Sequence, residues 1–276
     1  MKSFYFISGL PRSGSTLLSG ILKQNPEFYA DIASPIESIT SSIIDILTNS
    51  DSNFVIMENQ RKNLLYGIFD GHYKHIEKPV IFDSSRNWTR KTPLIKALFP
   101  HAKILCPVRD LVSILNSFEV ISSKNPFYSK TLTKNKDNVF SRCDDMMDKN
   151  SGIVAIPWIS LKEGYAINPE MIHFVEYGDL CKEPEKTMRN VYKFLEKPYY
   201  SHDFENVEYE NKNFDLTCNL EDLHTVRKKV LYDPPRNILP LEIVKKYREM
   251  NMEFWIDGYK PDSDIIKKID KKFIKY

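Results

Sequence analysis

A chain of 276 residues, 42% hydrophobic and 28% charged, can bury a substantial core and carries too much charge for a membrane bundle. Its 39 basic and 37 acidic residues leave a formal charge of +2, which argues against a protein that coats nucleic acid but leaves room for a local basic pocket. Cys106, Cys143, Cys181 and Cys218 are scattered with no CxxC pair, so zinc spacing is absent and the reduced thiols of a cytoplasmic protein are expected.

The first apolar run, 3–8 (SFYFIS), is too short for a secretory signal and suits a buried parallel strand broken by Gly9-Leu10-Pro11. After Ser15 the string TLLSGILKQ puts Leu17, Leu18, Ile21 and Leu22 on one helical face and stops at Asn25-Pro26. A second helix is predicted over 35–47, with Ser34 as N-cap before Pro35, and a third over 57–75. Strands follow at 79–83 (PVIFD) and 103–107 (KILCP), with a short helix at 93–99 between them. Behind Arg109 a long helix carries Leu111, Ile114, Leu115 and Phe118 at core-facing spacing, and the lysine-rich stretch 124–138 reads as a lid. A fourth strand at 171–176 (MIHFVE) leads to an amphipathic helix at 185–195. Residues 204–235 read as extended or irregular, and 241–254 as helical. No stretch approaches the roughly 18 uncharged residues of a membrane span, so neither a span nor a type II anchor is expected.

Strands alternating with helices predict an α/β fold in which a P-loop-like parallel sheet is flanked by helices, built as a single domain over 1–276. Ligands of such sheets bind beyond the carboxyl ends of the strands, which directs attention to the turns after Ser8, Asp83, Pro107 and Glu176.

The turn after the first strand reads Gly9-Leu10-Pro11-Arg12-Ser13-Gly14-Ser15-Thr16. It has the G-x-x-x-x-G spacing of a P-loop, but Ser15 stands where the Walker lysine belongs. Glycines, free amides at a helix N-terminus and two hydroxyls still make an anion site, and Arg12 supplies the missing charge. Without the lysine that grips terminal phosphates, a nucleotide kinase or NTPase becomes the alternative, together with a non-catalytic nucleotide-binding protein. In the turn after the third strand, Arg109, Ser113 and Ser117 fall along one face if the helix begins at Arg109, and an arginine fork with a hydroxyl clamps phosphate.

Residues 11–16 (PRSGST) resemble the 5'-phosphosulfate loop of sulfotransferases that use 3'-phosphoadenosine 5'-phosphosulfate (PAPS). Arg109 with Ser117 is similar to that family's 3'-phosphate pair, and 174–196 (FVEYGDLCKEPEKTMRNVYKFLE) resembles its strand–tyrosine–acidic segment and following helix. The match runs to about residue 195, continues loosely through 224–230 (HTVRKKV), and is closest to the bacterial-type and tyrosylprotein-type branches. The resemblance implies a nucleotide-binding transferase with PAPS as sulfuryl donor and 3'-phosphoadenosine 5'-phosphate (PAP) as product, and no metal. It places Pro11, Arg12, Ser13, Gly14, Ser15 and Thr16 at the 5'-phosphate, Tyr177 at the adenine, and Arg227, Lys228 and Lys229 over the 3'-phosphate.

Sulfuryl transfer needs charge relief at the leaving oxygen, for which Arg12 and Lys91 (in RKTPL, 90–94) are the candidates. It also needs a base facing the acceptor hydroxyl, for which Glu37, Asp83 and His224 are candidates, with Glu37 favoured. Helical insertions at about 35–75 and 124–165 are expected to form the acceptor side, for a small-molecule, sugar or peptide hydroxyl.

Overall fold

The computed structural model describes residues 2–49, 52–124, 138–208, 228–249 and 254–255. Strands β1 (Ser3–Ile7), β2 (Phe28–Ala30), β3 (Val80–Ser84), β4 (Ile104–Val108) and β5 (Ile172–Glu176) make one parallel sheet in the order β2-β3-β1-β4-β5. The helices are α1 (Ser15–Lys23), α2 (Ile36–Asn49), α3 (Ser52–Val55), α4 (Glu58–His72), α5 (Thr92–Leu98) and α6 (Leu111–Lys124). They continue as α7 (Val139–Met146), α8 (Ala155–Ile167), α9 (Tyr177–Lys182), α10 (Pro184–Leu195) and α11 (Leu241–Glu249).

Alternation along β1 explains the layering. Phe4 and Phe6 point into one apolar cluster, and Tyr5 and Ile7 into the other, so both faces of the sheet must be covered. Leu18 and Leu22 of α1 with Met188, Val191 and Leu195 of α10 cover the second face. Phe69 of α4, Ile95 of α5, Ile114 and Leu115 of α6, and Leu161 of α8 cover the first. Trp88 sits at its centre, wholly buried, with its ring 5.0 Å from that of Phe6. It belongs to the core.

The order of elements follows the sequence reading, and Ser34 caps α2 by accepting from the Ile36 N–H at 3.1 Å. Five of these elements went unread, the four-residue α3 among them. β2 is a three-residue edge strand, too short for a periodic signal. α7 is a short helix and α9 is shorter still. α8 (AIPWISLKEGYAI) sets its apolar residues all round, so no stripe marks it. The long helix follows Arg109 as expected, but Arg109 itself lies in the link before Leu111, and Asp110 Oδ1 caps the turn by accepting from Ser113 N at 2.8 Å. Arg109 therefore does not share a helical face with Ser113 and Ser117. The lid reading at 124–138 lies almost wholly outside the described residues, as do Arg227 and His224. Among the described residues no helix is long and apolar enough to cross a membrane.

The chain returns over α6 through 228–238, and buried Asn116 fastens that return. Its amide nitrogen donates to the Arg236 carbonyl at 3.1 Å, and its oxygen accepts from the Ile238 N–H at 2.8 Å. Replacing Asn116 with alanine leaves backbone groups unmatched and is expected to lower unfolding free energy by about 1–3 kcal/mol. Urea denaturation of the variant checks this.

Candidate active site

The carboxyl ends of β1, β3 and β4 meet around the loop that joins β1 to α1. Gly9 is forced to be glycine, because a Cβ there would stand 2.1 Å from the Pro107 carbonyl oxygen. That carbonyl accepts from Leu10 N at 2.8 Å, and Ser13 Oγ lies 2.8 Å from the same oxygen, which pins the loop to the end of β4. Gly14 (φ 89°) is left-handed, and a side chain there would strike the Tyr177 ring at 2.7 Å. Arg12 is left-handed too (φ 56°), a strained state for a residue with a side chain, of the kind that collects at functional sites.

This curl leaves the N–H groups of Ser13, Gly14, Ser15 and Thr16 without an acceptor among the described residues, and Gly14 caps α1 with no side chain of its own. Consecutive unmatched amides at a helix N-terminus form a nest for an anion.

Two guanidiniums flank the nest. Arg12 Nε donates to Ser117 Oγ on α6 at 3.1 Å. Arg109 is only 6% exposed; it donates to the Arg12 carbonyl at 3.3 Å and lies 4.4 Å from the centre of the Tyr177 ring. No carboxylate pairs with Arg109 among the described residues. A buried cation without a counter-charge is costly unless an anion supplies one. Burial pushes the Tyr177 hydroxyl up to about 12, so the ring stays neutral, and Tyr232 stands 6.2 Å away on its other side. The structure thus brings Arg12, Ser13, Gly14, Ser15, Thr16, Arg109, Ser117 and Tyr177 together, with Pro11 buried behind them.

A second cluster joins α2 to the turn after β3. Glu37, buried in the first turn of α2, receives Lys91 Nζ at 2.9 Å, Ser41 Oγ at 3.0 Å and Asn87 Nδ2 at 3.3 Å. Lys91 also donates to Ser41. Burial pushes the Glu37 carboxyl up, but the Lys91 ammonium and the Ser41 and Asn87 donors outweigh it and hold the group below the ordinary glutamate range. The turn is tied to the root of the loop: Ser85 N donates to the Ile7 carbonyl at 3.1 Å and Thr89 N to Ser8 Oγ at 3.2 Å. Glu37 and Lys91 form part of the lining of an open cleft of about 530 Å³, bounded further by Ser38, Ser41, Ser42, Asn87 and Arg90.

Other candidates sit elsewhere. Asp83 is wholly enclosed, accepting from Tyr73 OH at 2.6 Å, Ser34 Oγ at 2.7 Å and Trp88 Nε1 at 2.6 Å. Burial pushes its carboxyl up, and with both oxygens engaged it anchors the core and faces no acceptor. Lys228 and Lys229 are exposed and reach Glu208 and Glu205 at 4.0 and 2.6 Å. Ser41, Asn87 and Arg90 escaped the sequence reading. Ser41 lies four residues after Glu37 on one helix, a spacing that could have revealed it, and Asn87 and Arg90 occupy a turn already marked by the sheet-edge rule.

A parallel sheet whose first turn offers bare amides between two guanidiniums defines a P-loop-like α/β protein with an anion nest. The profile described as "Sulfotransferase family" matches residues 5–201, and the chain belongs to that family. It is 25% identical over 206 residues to protein-tyrosine sulfotransferase A of Caenorhabditis elegans, a match covering 71% of this chain and 50% of that protein. The chain thus matches about half the length of that relative. The fold is shared with the sulfotransferase domain from the curacin biosynthetic pathway (TM-score 0.53, 15% identity, 99% of this chain and 97% of that one). It is shared also with mouse sulfotransferase SULT7A1 complexed with PAP (TM-score 0.52, 12% identity, 98% and 89% of the two chains).

Proposed function

We propose that this chain moves a sulfuryl group from PAPS to an acceptor hydroxyl, as one domain in which α2–α4 and α7–α8 form the acceptor side. The unmatched amides of Ser13 to Thr16 between Arg12 and Arg109 carry the reading. The amides bind the 5'-phosphate and Arg12 neutralises charge building on the leaving oxygen. Arg109 and Ser117 hold the 3'-phosphate, and Tyr177 supports the adenine. Lys91 turns from Glu37 toward the leaving phosphate, and Glu37 takes the proton from the acceptor hydroxyl. Lys228 and Lys229 close over the nucleotide only if they leave their surface glutamates. Buried, unpaired Cys106, Cys143 and Cys181 suit a reducing cytoplasm.

Calorimetric titration with PAP and ATP tests the donor assignment, since a preference for ATP would return the chain to the NTPase reading. Arg109→Ala separates the two phosphates. Truncating a buried charge against its anion should weaken PAP by at least about 30-fold. Adenosine 5'-phosphate, which lacks the 3'-phosphate, should bind the variant within about twofold of the parent; equal losses for both would remove Arg109 from the 3'-phosphate.

A further inference from the structure

The cleft beside Glu37 and Lys91 has a chemical character that narrows the acceptor. Its lining holds no aliphatic or aromatic side chain. An apolar ring placed there would desolvate polar groups and give them nothing in return.

The serines of α2 define what the cleft asks for. Ser38 Oγ donates to the Pro35 carbonyl at 2.8 Å, Ser41 Oγ to the Glu37 carbonyl at 2.9 Å, and Ser42 Oγ to the Ser38 carbonyl at 3.1 Å. The hydroxyl hydrogens of Ser38 and Ser42 are thus directed at backbone, so toward the cleft these two side chains offer lone pairs, while Ser41 is engaged by Glu37 and Lys91. Lone pairs call for donors, which a ligand rich in hydroxyls supplies. On the rim, exposed Arg90 has no carboxylate partner among the described residues, and Lys91 is matched by Glu37. Because Lys91 is matched by Glu37 at rest and by the donor phosphate in the proposed mechanism, Arg90 is the cation left for the ligand to meet.

We infer that the acceptor is a polyhydroxylated compound bearing an anionic group, of the sugar-acid class, with the hydroxyl to be sulfated at Glu37 and the anion at Arg90. This rests on the sulfotransferase reading above and selects among the acceptors it allows. Arg90 acts as a specificity-determining residue: its fork meets a carboxylate in the bidentate geometry that a lysine could not reproduce.

The experiment uses the full chain, with PAP binding measured separately by calorimetry. Labelled PAPS is offered with a uronic-acid disaccharide, its methyl ester, 2-naphthol and an acidic tyrosine peptide. The PAP-bound protein is also titrated with the first two. The acid should exceed its ester by about tenfold in kcat/KM and in affinity, as expected for one charge-assisted pair. It should exceed 2-naphthol and the peptide by at least about tenfold, because those bring rings into a polar cleft. Arg90→Ala should bring the acid-to-ester ratio down to about one while PAP affinity holds. Preference for 2-naphthol or the peptide, an unaltered ratio in Arg90→Ala, or no transfer to either sugar while PAP binds would each overturn the assignment. Failure of PAP itself to bind would instead bring down the donor reading, and this inference with it.

Discussion

Replacing Glu37 with glutamine is expected to lower kcat by roughly 10²–10⁴-fold, the range for loss of a positioned base, with PAP affinity held near the parent value. The amide keeps the shape of the carboxyl group and an acceptor for Lys91, so the cluster persists while the base is gone. The pH profile gives the sharper reading. On the proposed role, activity requires ionised Glu37, and Lys91, Ser41 and Asn87 hold its carboxyl below the ordinary range against the upward push of burial. In kcat/KM for PAPS, which reports the free enzyme in which Lys91 still holds Glu37, activity should therefore survive as pH falls through the usual glutamate range and fail only below it. The same depression contributes stability that is present above the unfolded-state pKa and lost as pH falls through the lower folded-state value. In Lys91→Met the burial effect is unopposed by an ammonium, and the normalised acid limb should move upward. A purely structural Glu37 would change melting in both variants yet leave the limb where it was.

The pairing also bears on how the base is readied. At rest, Lys91 is bound to Glu37 and Ser41, so the ammonium that weakens the base is the one expected to serve the leaving group. Each step Lys91 takes toward a phosphate removes the strongest influence lowering the Glu37 carboxyl, and burial then strengthens it as a base. In the proposed mechanism, donor binding and base activation become one event.

Much of this site was legible before any coordinates, because the chemistry is local. Gly9, Arg12 and Gly14 sit in one turn, and their spacing reports a backbone that must curl and expose amides. Arg109 and Ser117 were legible as a pair, but their setting was not. A shared face required a helix starting at Arg109, whereas the helix begins at Leu111 behind an Asp110 cap and the Arg109 guanidinium lies over Tyr177. The contact between Ser117 and Arg12 spans 105 positions, and no periodicity encodes it. Asp83 misled for a related reason. A strand-end carboxylate reads the same whether it faces ligand or core, and only the tertiary positions of Tyr73 and Trp88 decide. α8 stayed hidden because its apolar residues lie all round it, exposed Ile167 included, so no stripe sets its period.

Arg12→Gly is the most demanding test of the loop, because it separates the charge from the backbone state that holds it. Arginine in the left-handed region costs about 1–2 kcal/mol, which glycine removes, while glycine's extra freedom when unfolded costs about 0.5–1 kcal/mol. The two nearly cancel, so melting should stay close to the parent's. Turnover should nevertheless fall by about 10²–10³-fold, the usual consequence of deleting a group aimed at developing negative charge. Arg12→Lys should recover part of that loss by restoring the charge, but not all, since a lysine cannot both reach the anion and hold Ser117 as the guanidinium does. A protein that keeps the parent's turnover with glycine at position 12 would mean that the strain at Arg12 serves something other than catalysis, and that the amides of the nest act without it.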